Sequence, residues 1–124
     1  MKRLTWGKTE PPEFSHVPEK PGIYIISTRQ EADHEFEAKY VGQADNLHVR
    51  AKEHWSKKEK NKELKDHIAE KYVMKFNYSI VDSKAERDGM ESYLCRILDP
   101  SFNHNSAPGK EEIICSLPAV RKHS

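Results

Sequence analysis

A run of strict alternation at residues 72–81 constrains the fold of this chain more than any other feature. Its even-numbered residues, such as Met74 and Phe76, are apolar or aromatic, and they alternate with residues that include Lys75 and Asn77. Successive side chains of a β-strand point to opposite faces of a sheet, so a period of two residues indicates a strand. The segment is therefore predicted to be one strand of a sheet.

Two shorter apolar runs precede this segment, and each has a tyrosine close to a glycine. In the first run Tyr24 comes two residues after Gly22, and in the second run Tyr40 comes two residues before Gly42. Both runs are predicted to be strands. The polar, acidic connection at residues 28–37 makes them a hairpin with a long loop.

A helix is predicted immediately after the second strand. Asp45 or Asn46 is a suitable N-cap, because its side-chain oxygen can accept a hydrogen bond from a free first-turn N–H. From there Leu47, Ala51 and Trp55 recur every four residues. This spacing places them on one apolar face of a helix.

Two more helices are predicted, one on each side of the segment at residues 72–81. One covers about residues 60–70 and is rich in lysine. The other covers about residues 84–98 and stops at Asp99-Pro100, because proline disfavours helical backbone in the residue before it. The order of elements is then β-β-α-α-β-α, which predicts an α+β fold with a small three-stranded sheet flanked by helices.

A length of 124 residues suits a single domain. We expect an extended N-terminal lead-in at residues 1–20, the folded domain at residues 21–103, and a C-terminal extension at residues 104–124 that packs on or trails the same domain. The apolar runs are far shorter than the roughly 20 residues that a transmembrane helix needs. No signal peptide is recognisable, so a cytoplasmic or nucleoid-associated protein that is neither secreted nor bound to a membrane is expected.

The two cysteines and the charge narrow the classes of function. Cys95 and Cys115 are expected to be reduced thiols, since two widely spaced cysteines form neither a disulfide framework nor a zinc motif. The net charge of +1 lacks the basicity that by itself indicates nucleic-acid binding. Residues 48–75, however, carry nine Lys or Arg against five acids. Such a mixture indicates either a solvated helix face or a modest basic surface that contacts phosphates.

The polar residues near the predicted strands each allow a structural and a chemical interpretation. Tyr24 and Tyr40 would ordinarily be packing residues of a sheet. Arg50 and His54 lie one turn apart on one helix face. They form either a surface stripe or a guanidinium that binds a phosphate beside an imidazole that moves a proton.

Two further residues follow in the second half of the chain. Glu91 falls at the margin of the apolar face of the third predicted helix, where it is either exposed or reaches into a cleft to hold a metal ion. Asn103 lies in a loop and would ordinarily form a turn of its own.

Taken in order, these residues resemble the GIY-YIG nuclease domain family. Pro21-Gly22-Ile23-Tyr24 resembles the first family motif, and Lys39-Tyr40-Val41-Gly42 resembles the second, with valine where isoleucine is commoner. The remaining matches are Asn46, Arg50 ten positions after Tyr40, His54, Glu91, and Pro100-Ser101-Phe102-Asn103. Two tripeptides alone would be a weak signal, but five elements in one order across residues 21–103 are a specific one.

The resemblance implies a nuclease fold and a catalytic chemistry. It implies a sheet flanked by helices, and cleavage of DNA or sometimes RNA that depends on one Mg²⁺ or Mn²⁺ ion held by Glu91. In that chemistry Arg50 neutralises charge on the phosphate, and a tyrosine takes the proton of the attacking water. We favour Tyr24 as the base and Tyr40 as the residue that orients the water, although the sequence does not separate them.

The remaining matched residues are given supporting roles. His54 would assist the proton relay. Gly22, Gly42, Asn46 and Asn103 would support the site rather than carry out chemistry.

The function expected from the sequence is therefore a metal-dependent GIY-YIG-type endonuclease, a phosphodiester hydrolase. Two alternatives remain: a non-catalytic nucleic-acid-binding module on the same fold, and a protein-interaction domain with no nucleic-acid role. A small domain of low net charge has little surface for reading a long sequence. This favours an enzyme directed by nucleic-acid structure, a homodimer, or a chain that needs a protein partner for specificity.

Overall fold

The computed structural model describes residues 1–30, 35–56, 58–70, 73–103 and 111–122, and it contains one antiparallel sheet with helices on both faces. The predicted α+β class and the flanking helices are confirmed. None of the helices in the described ranges is long and apolar enough to cross a membrane. The elements are β1 (Gly7–Thr9), β2 (Gly22–Arg29), β3 (Glu37–Ala44), α1 (Leu47–His54), α2 (Lys62–Ala69), β4 (Val73–Ile80) and α3 (Lys84–Leu98).

The sheet has the strand order β1-β4-β2-β3, so β2 is a central strand that pairs along its length with both β3 and β4. The number of strands corrects the prediction, because the sheet has a fourth strand, β1, within the N-terminal lead-in. Gly7 of β1 pairs with Tyr78 of β4. A three-residue strand without an apolar pattern leaves no periodic signal in the sequence, since it is defined by its partner.

The two faces of the sheet bury alternate residues of β2. Ile23 and Ile25 belong to a core cluster with Leu94 and other residues of α3. Tyr24 belongs to the opposite cluster, with Leu47 of α1 and further apolar residues of α2 and β4. Because alternate residues of a strand face opposite sides, the first tyrosine of the motif necessarily lies on the side of α1 and α2.

The helix caps follow the sequence closely. The side chain of Asn46 accepts a hydrogen bond from the Val49 N–H at 3.1 Å and caps α1. Ser83 caps α3, and α3 ends at Asp99, which adopts left-handed backbone. Trp55 is the C-cap residue of α1 and packs against the same core cluster as Leu47 and Ala51, as predicted for the apolar face.

The described part of the C-terminal segment, residues 111–122, packs against the rest of the domain. The Arg121 N–H donates to the Phe36 carbonyl oxygen at 2.8 Å, and the Lys2 N–H donates to the Ile114 carbonyl oxygen at 2.9 Å. Cys115 is 1% exposed within the core cluster on the α3 side. Both cysteines are free thiols, and burial raises the pKa of Cys95 to about 12. Residues 104–110 and 123–124 of the predicted extension lie outside the described residues, as do residues 31–34 of the predicted hairpin loop.

Candidate active site

An open cleft of about 690 Å³ crosses the outer edge of β3, between the start of α2 and one side of α3. Tyr24, Tyr40, Arg50 and Glu91, four of the five predicted catalytic residues, line it. His54, the fifth, is 1% exposed and contacts Tyr24 from inside the protein. Residues from two strands and two helices, separated by up to 67 positions in the sequence, are thus brought to one site.

The two motif glycines make room for this arrangement. Tyr24 on β2 pairs with Gly42 on β3. A Cβ atom at Gly42 would overlap the hydroxyl of Tyr24, and a Cβ at Gly22 would overlap the Ser79 carbonyl oxygen and the Leu47 side chain. Close packing against Tyr24 therefore requires a glycine at position 42, and close packing against β4 and α1 requires one at position 22.

His54 differs most from its expected position. It was expected beside Arg50 on one face of α1, but its side chain is buried in the core. Its Nε2 atom lies 2.7 Å from the Tyr24 hydroxyl oxygen, and its Nδ1 atom contacts Oε2 of Glu59. Burial lowers the pKa of His54, the positive charge of Arg50 lowers it further, and Glu59 opposes both effects. The imidazole is therefore neutral at neutral pH.

Tyr40 and Arg50 connect this buried group to the cleft. The Tyr40 ring stacks on the Tyr24 ring with centroids 6.1 Å apart, and its edge meets the His54 ring at 5.2 Å. Burial raises the pKa of both tyrosines, more strongly for Tyr24, while the Arg50 guanidinium lowers both through its charge and a hydrogen bond. Arg50 thus favours the phenolate form of either residue.

Glu91 reaches the cleft from α3 and is half-buried. Burial raises the pKa of Glu91, a hydrogen bond from Gln43 lowers it, and the charge of Asp88 raises it. The Gln43 Nε2 atom also lies 2.7 Å from Oδ1 of Asp88, which Lys84 contacts at 2.7 Å. Glu91 therefore belongs to a polar wall that is accessible to water.

Asn103 supports the edge of the cleft through its side-chain amide. Its Oδ1 accepts from the Val41 N–H at 2.8 Å, and its Nδ2 donates to the Val41 carbonyl oxygen, also at 2.8 Å. Val41 lies between the tyrosine and the glycine of the second motif. The amide therefore takes the place of a neighbouring strand at this point of β3.

Sequence reasoning missed several residues that shape the site. Glu59 pairs with His54 below the cleft, while Gln43, Lys60 and Lys62 line it. Gln43 follows the second motif directly, which could have indicated it. Glu59 lies within a run of lysines that resembles a solvated helix face.

Comparison with known proteins relates this fold to one group of endonuclease domains. No protein-family profile matches the chain. Among curated proteins, UvrABC system protein C of Methanosphaera stadtmanae is 26% identical over 95 residues, which are 77% of this chain and 15% of that protein. The chain thus spans a small part of the curated relative that it matches.

Solved structures of a UvrC domain share the architecture. The GIY-YIG N-terminal endonuclease domain of UvrC from Thermotoga maritima, bound to magnesium, aligns with a TM-score of 0.52 and 20% identity, over 73% of this chain and 91% of that one. A form of that domain with a tyrosine-to-phenylalanine substitution, bound to its catalytic divalent cation, aligns with a TM-score of 0.54 over the same shares. The resemblance inferred from the sequence motifs is confirmed at the level of the fold.

Proposed function

We propose, from the GIY-YIG fold that this chain shares with the UvrC domain, that the protein is a metal-dependent endonuclease that hydrolyses phosphodiester bonds in nucleic acid. One observation carries the proposal: two phenols, a guanidinium and a carboxylate line a single open cleft. DNA is the expected substrate, and RNA is the second candidate. The UvrC domain of the same fold is an endonuclease domain, which supports this assignment.

The residues of the cleft fit a single divalent cation of the hard type. Glu91 offers a half-buried carboxylate beside the amide of Gln43. Among the described residues, no three His, Cys, Asp or Glu side chains gather into a cluster that could enclose a metal. Such a donor set suits Mg²⁺ or Mn²⁺, since Mg²⁺ commonly keeps several waters and binds one or two carboxylates together with substrate phosphate. When bound, the cation would stabilise charge that develops on the phosphate and on the leaving oxygen.

Arg50 supplies the second positive charge. Its side chain is 31% exposed and lines the cleft, so one edge of the guanidinium is available to a phosphate oxygen. A fixed guanidinium donates two parallel hydrogen bonds to such an oxyanion. In this scheme Arg50 holds the reacting phosphate and neutralises its developing charge.

We assign acceptance of the water proton to Tyr40 rather than to Tyr24, the reverse of the order favoured from the sequence. Tyr24 is 1% exposed, and its hydroxyl is already bonded to His54. Tyr40 is less buried and is close enough to Glu91 for the carboxylate charge to raise its pKa. A cation held by Glu91 would instead lower the pKa of Tyr40. Tyr24 would then be the residue that orients the water.

Exposed lysines at the rim of the cleft would hold the nucleic-acid backbone. Lys60 and Lys62 lie beside the start of α2, and Lys84 lies on the opposite rim. Contacts to phosphates position a duplex without reading its sequence. A small site of this kind favours a structure-directed enzyme, and a second copy or a protein partner would add specificity.

The test is cleavage of supercoiled plasmid and of labelled duplex, flap, branched, single-stranded and RNA substrates. The proposal predicts cutting with Mg²⁺ or Mn²⁺ that stops when EDTA is added and returns when the metal is restored. Salt-dependent binding without cutting under every metal condition would instead support a binding module. The absence of any salt-dependent binding to DNA or RNA would support a protein-interaction domain.

A further inference from the structure

We propose that Glu59 is a positioning residue that sets the tautomer of His54 and thereby the direction in which the Tyr24 hydroxyl donates its proton. The inference rests on the proposed function only in its consequence for turnover. Its structural part concerns the metal-free protein and stands independently.

Glu59 is buried in a way that a solvated glutamate is not. Its side chain is 2% exposed, and Oε2 contacts Nδ1 of His54 and lies 3.9 Å from NH1 of Arg50. The second carboxylate oxygen, Oε1, accepts the Asn61 N–H at 2.9 Å. A buried carboxylate is strongly unfavourable unless it is paired and hydrogen-bonded. Glu59 is paired with His54 and Arg50 through Oε2 and hydrogen-bonded to Asn61 through Oε1.

The contact with Glu59 determines which ring nitrogen of His54 carries the proton. An ionised carboxylate only accepts hydrogen bonds, so the proton of the neutral ring must be on Nδ1. Nε2 then has no proton and accepts the Tyr24 hydroxyl proton across 2.7 Å. In the resulting chain Tyr24 donates to His54, and His54 donates to Glu59.

This direction matters at the cleft. With its proton turned toward His54, Tyr24 presents oxygen lone pairs toward Arg50 and the cleft. In the opposite tautomer Nε2–H would donate to Tyr24, and the phenol proton would point toward Arg50, which is itself only a donor. Glu59 therefore favours the state in which Tyr24 accepts hydrogen bonds from Arg50 and from a water in the cleft.

The structural test uses histidine ¹⁵N chemical shifts of the metal-free protein. Wild type is expected to show His54 as the Nδ1–H tautomer. Glu59→Ala removes both acceptor oxygens, so a large fraction of the Nε2–H tautomer is expected. Glu59→Gln keeps the shape but offers one acceptor to two donors, His54 Nδ1–H and Asn61 N–H, so a smaller fraction is expected.

Glu53 provides a matched control. Its Oε2 is also 3.9 Å from NH1 of Arg50, but its side chain is 46% exposed. Glu53→Gln should leave the tautomer as in wild type. If Glu59→Ala does not fold, the isosteric Glu59→Gln decides: a pure Nδ1–H signal together with wild-type turnover would overturn the proposal.

The catalytic test uses the same variants on the best nucleic-acid substrate. Glu59→Ala should lower kcat by about 10- to 100-fold, comparable to the loss of an outer-shell partner that orients a metal-bound histidine, with KM changed little. In a His54→Ala background the same substitution should lower kcat no further, since Glu59 acts through His54. Equal losses in both backgrounds would contradict the proposal.

The two proposals fail in different ways. A wild-type protein that cuts no substrate, while Glu59→Ala still changes the tautomer, would refute the nuclease assignment and leave the positioning role intact. Cutting by the wild type, with the tautomer unchanged in both Glu59 variants, would refute the positioning role alone.

Discussion

The two walls of the cleft differ in how far their polar groups are already paired. On the β2 and α1 side, Tyr24, His54 and Glu59 are all buried and contact one another in a chain. On the α3 side, Glu91 is half-buried and Lys84 is exposed. We call the first side the closed wall and the second side the open wall.

In the proposed mechanism the two walls would have different roles. Dipoles that are fixed in a buried site stabilise charge without having to reorganise during the reaction, which suits the closed wall to orienting water and protons. A carboxylate that shares a cation with waters and substrate must be reachable from solvent, which suits the open wall to exchange of ligands. Substitutions on the two walls should therefore fail differently.

The largest effect is expected at the open wall. Glu91→Gln removes the carboxylate charge with almost no change in volume, and kcat should fall by about 10²- to 10³-fold or more, comparable to loss of a main stabiliser of charge. Thermal stability without metal should stay close to wild type. Glu86→Gln, on the same helix and paired with Lys2, is the control and should retain full activity. Undiminished cutting by Glu91→Gln would remove Glu91 from the site.

The next effect separates the two tyrosines. Tyr40→Phe removes the proposed proton acceptor and should lower kcat by about 10²-fold, the lower range of general acid–base catalysis. Tyr24→Phe keeps the buried ring and removes only the orienting hydroxyl, so a smaller loss, about tenfold, is expected. Single-turnover rates at saturating metal measure both. A larger loss for Tyr24→Phe would indicate that Tyr24, in the closed wall, is the proton acceptor.

The closed wall should also make the free energy of unfolding depend on pH. The pKa of His54 is lowered to about 4, with burial as the largest cause. An unfolded histidine titrates near 6.5, so between the two values the unfolded state binds more protons and stability falls as pH falls. The slope approaches about 1.36 kcal/mol per pH unit once the unfolded histidine is protonated, so from about pH 8 to about pH 5 the loss sums to about 2 kcal/mol.

Urea denaturation at several pH values measures this loss. Groups that do not contact His54 titrate alike in wild type and in His54→Gln, so the difference in slope between the two proteins reports His54 together with its partner Glu59. Equal slopes would mean that protonation of His54 costs the folded protein no free energy, and that burial does not keep the imidazole neutral.

The sequence predicted the framework of both walls better than their contacts. Periodicity predicted β4, which is a local signal, since a repeat of two residues depends only on the chain itself. The role expected for Arg50, ten positions after Tyr40, came instead from the resemblance to the GIY-YIG family. The predicted supporting role of Asn103 agrees with its paired bonds to Val41, and it remains to be tested by substitution.

What escaped prediction depends on distant partners. β1 is a strand only because β4 lies beside it. His54 is buried because Tyr24 and Glu59 approach it from a strand and from the segment before α2, and neither contact has a periodic signature. Glu59 itself lies next to Lys58 and Lys60, where charge patterning indicates solvent exposure.

The smallest expected effect concerns the rim between the walls. Lys60 and Lys62 are exposed and line the cleft. Removing one lysine–phosphate interaction should reduce the slope of log affinity against log salt by about one. Lys60→Ala with Lys62→Ala should therefore flatten the slope by about two while kcat at saturation is retained. The control is Lys52→Ala with Lys58→Ala, which removes the same charge from two exposed lysines that do not line the cleft. An equal change of slope in this control would mean that overall charge causes the effect. A fall in kcat for the cleft pair alone would show that these lysines help to align the phosphate, a role that the proposed mechanism gives to Arg50 and Glu91.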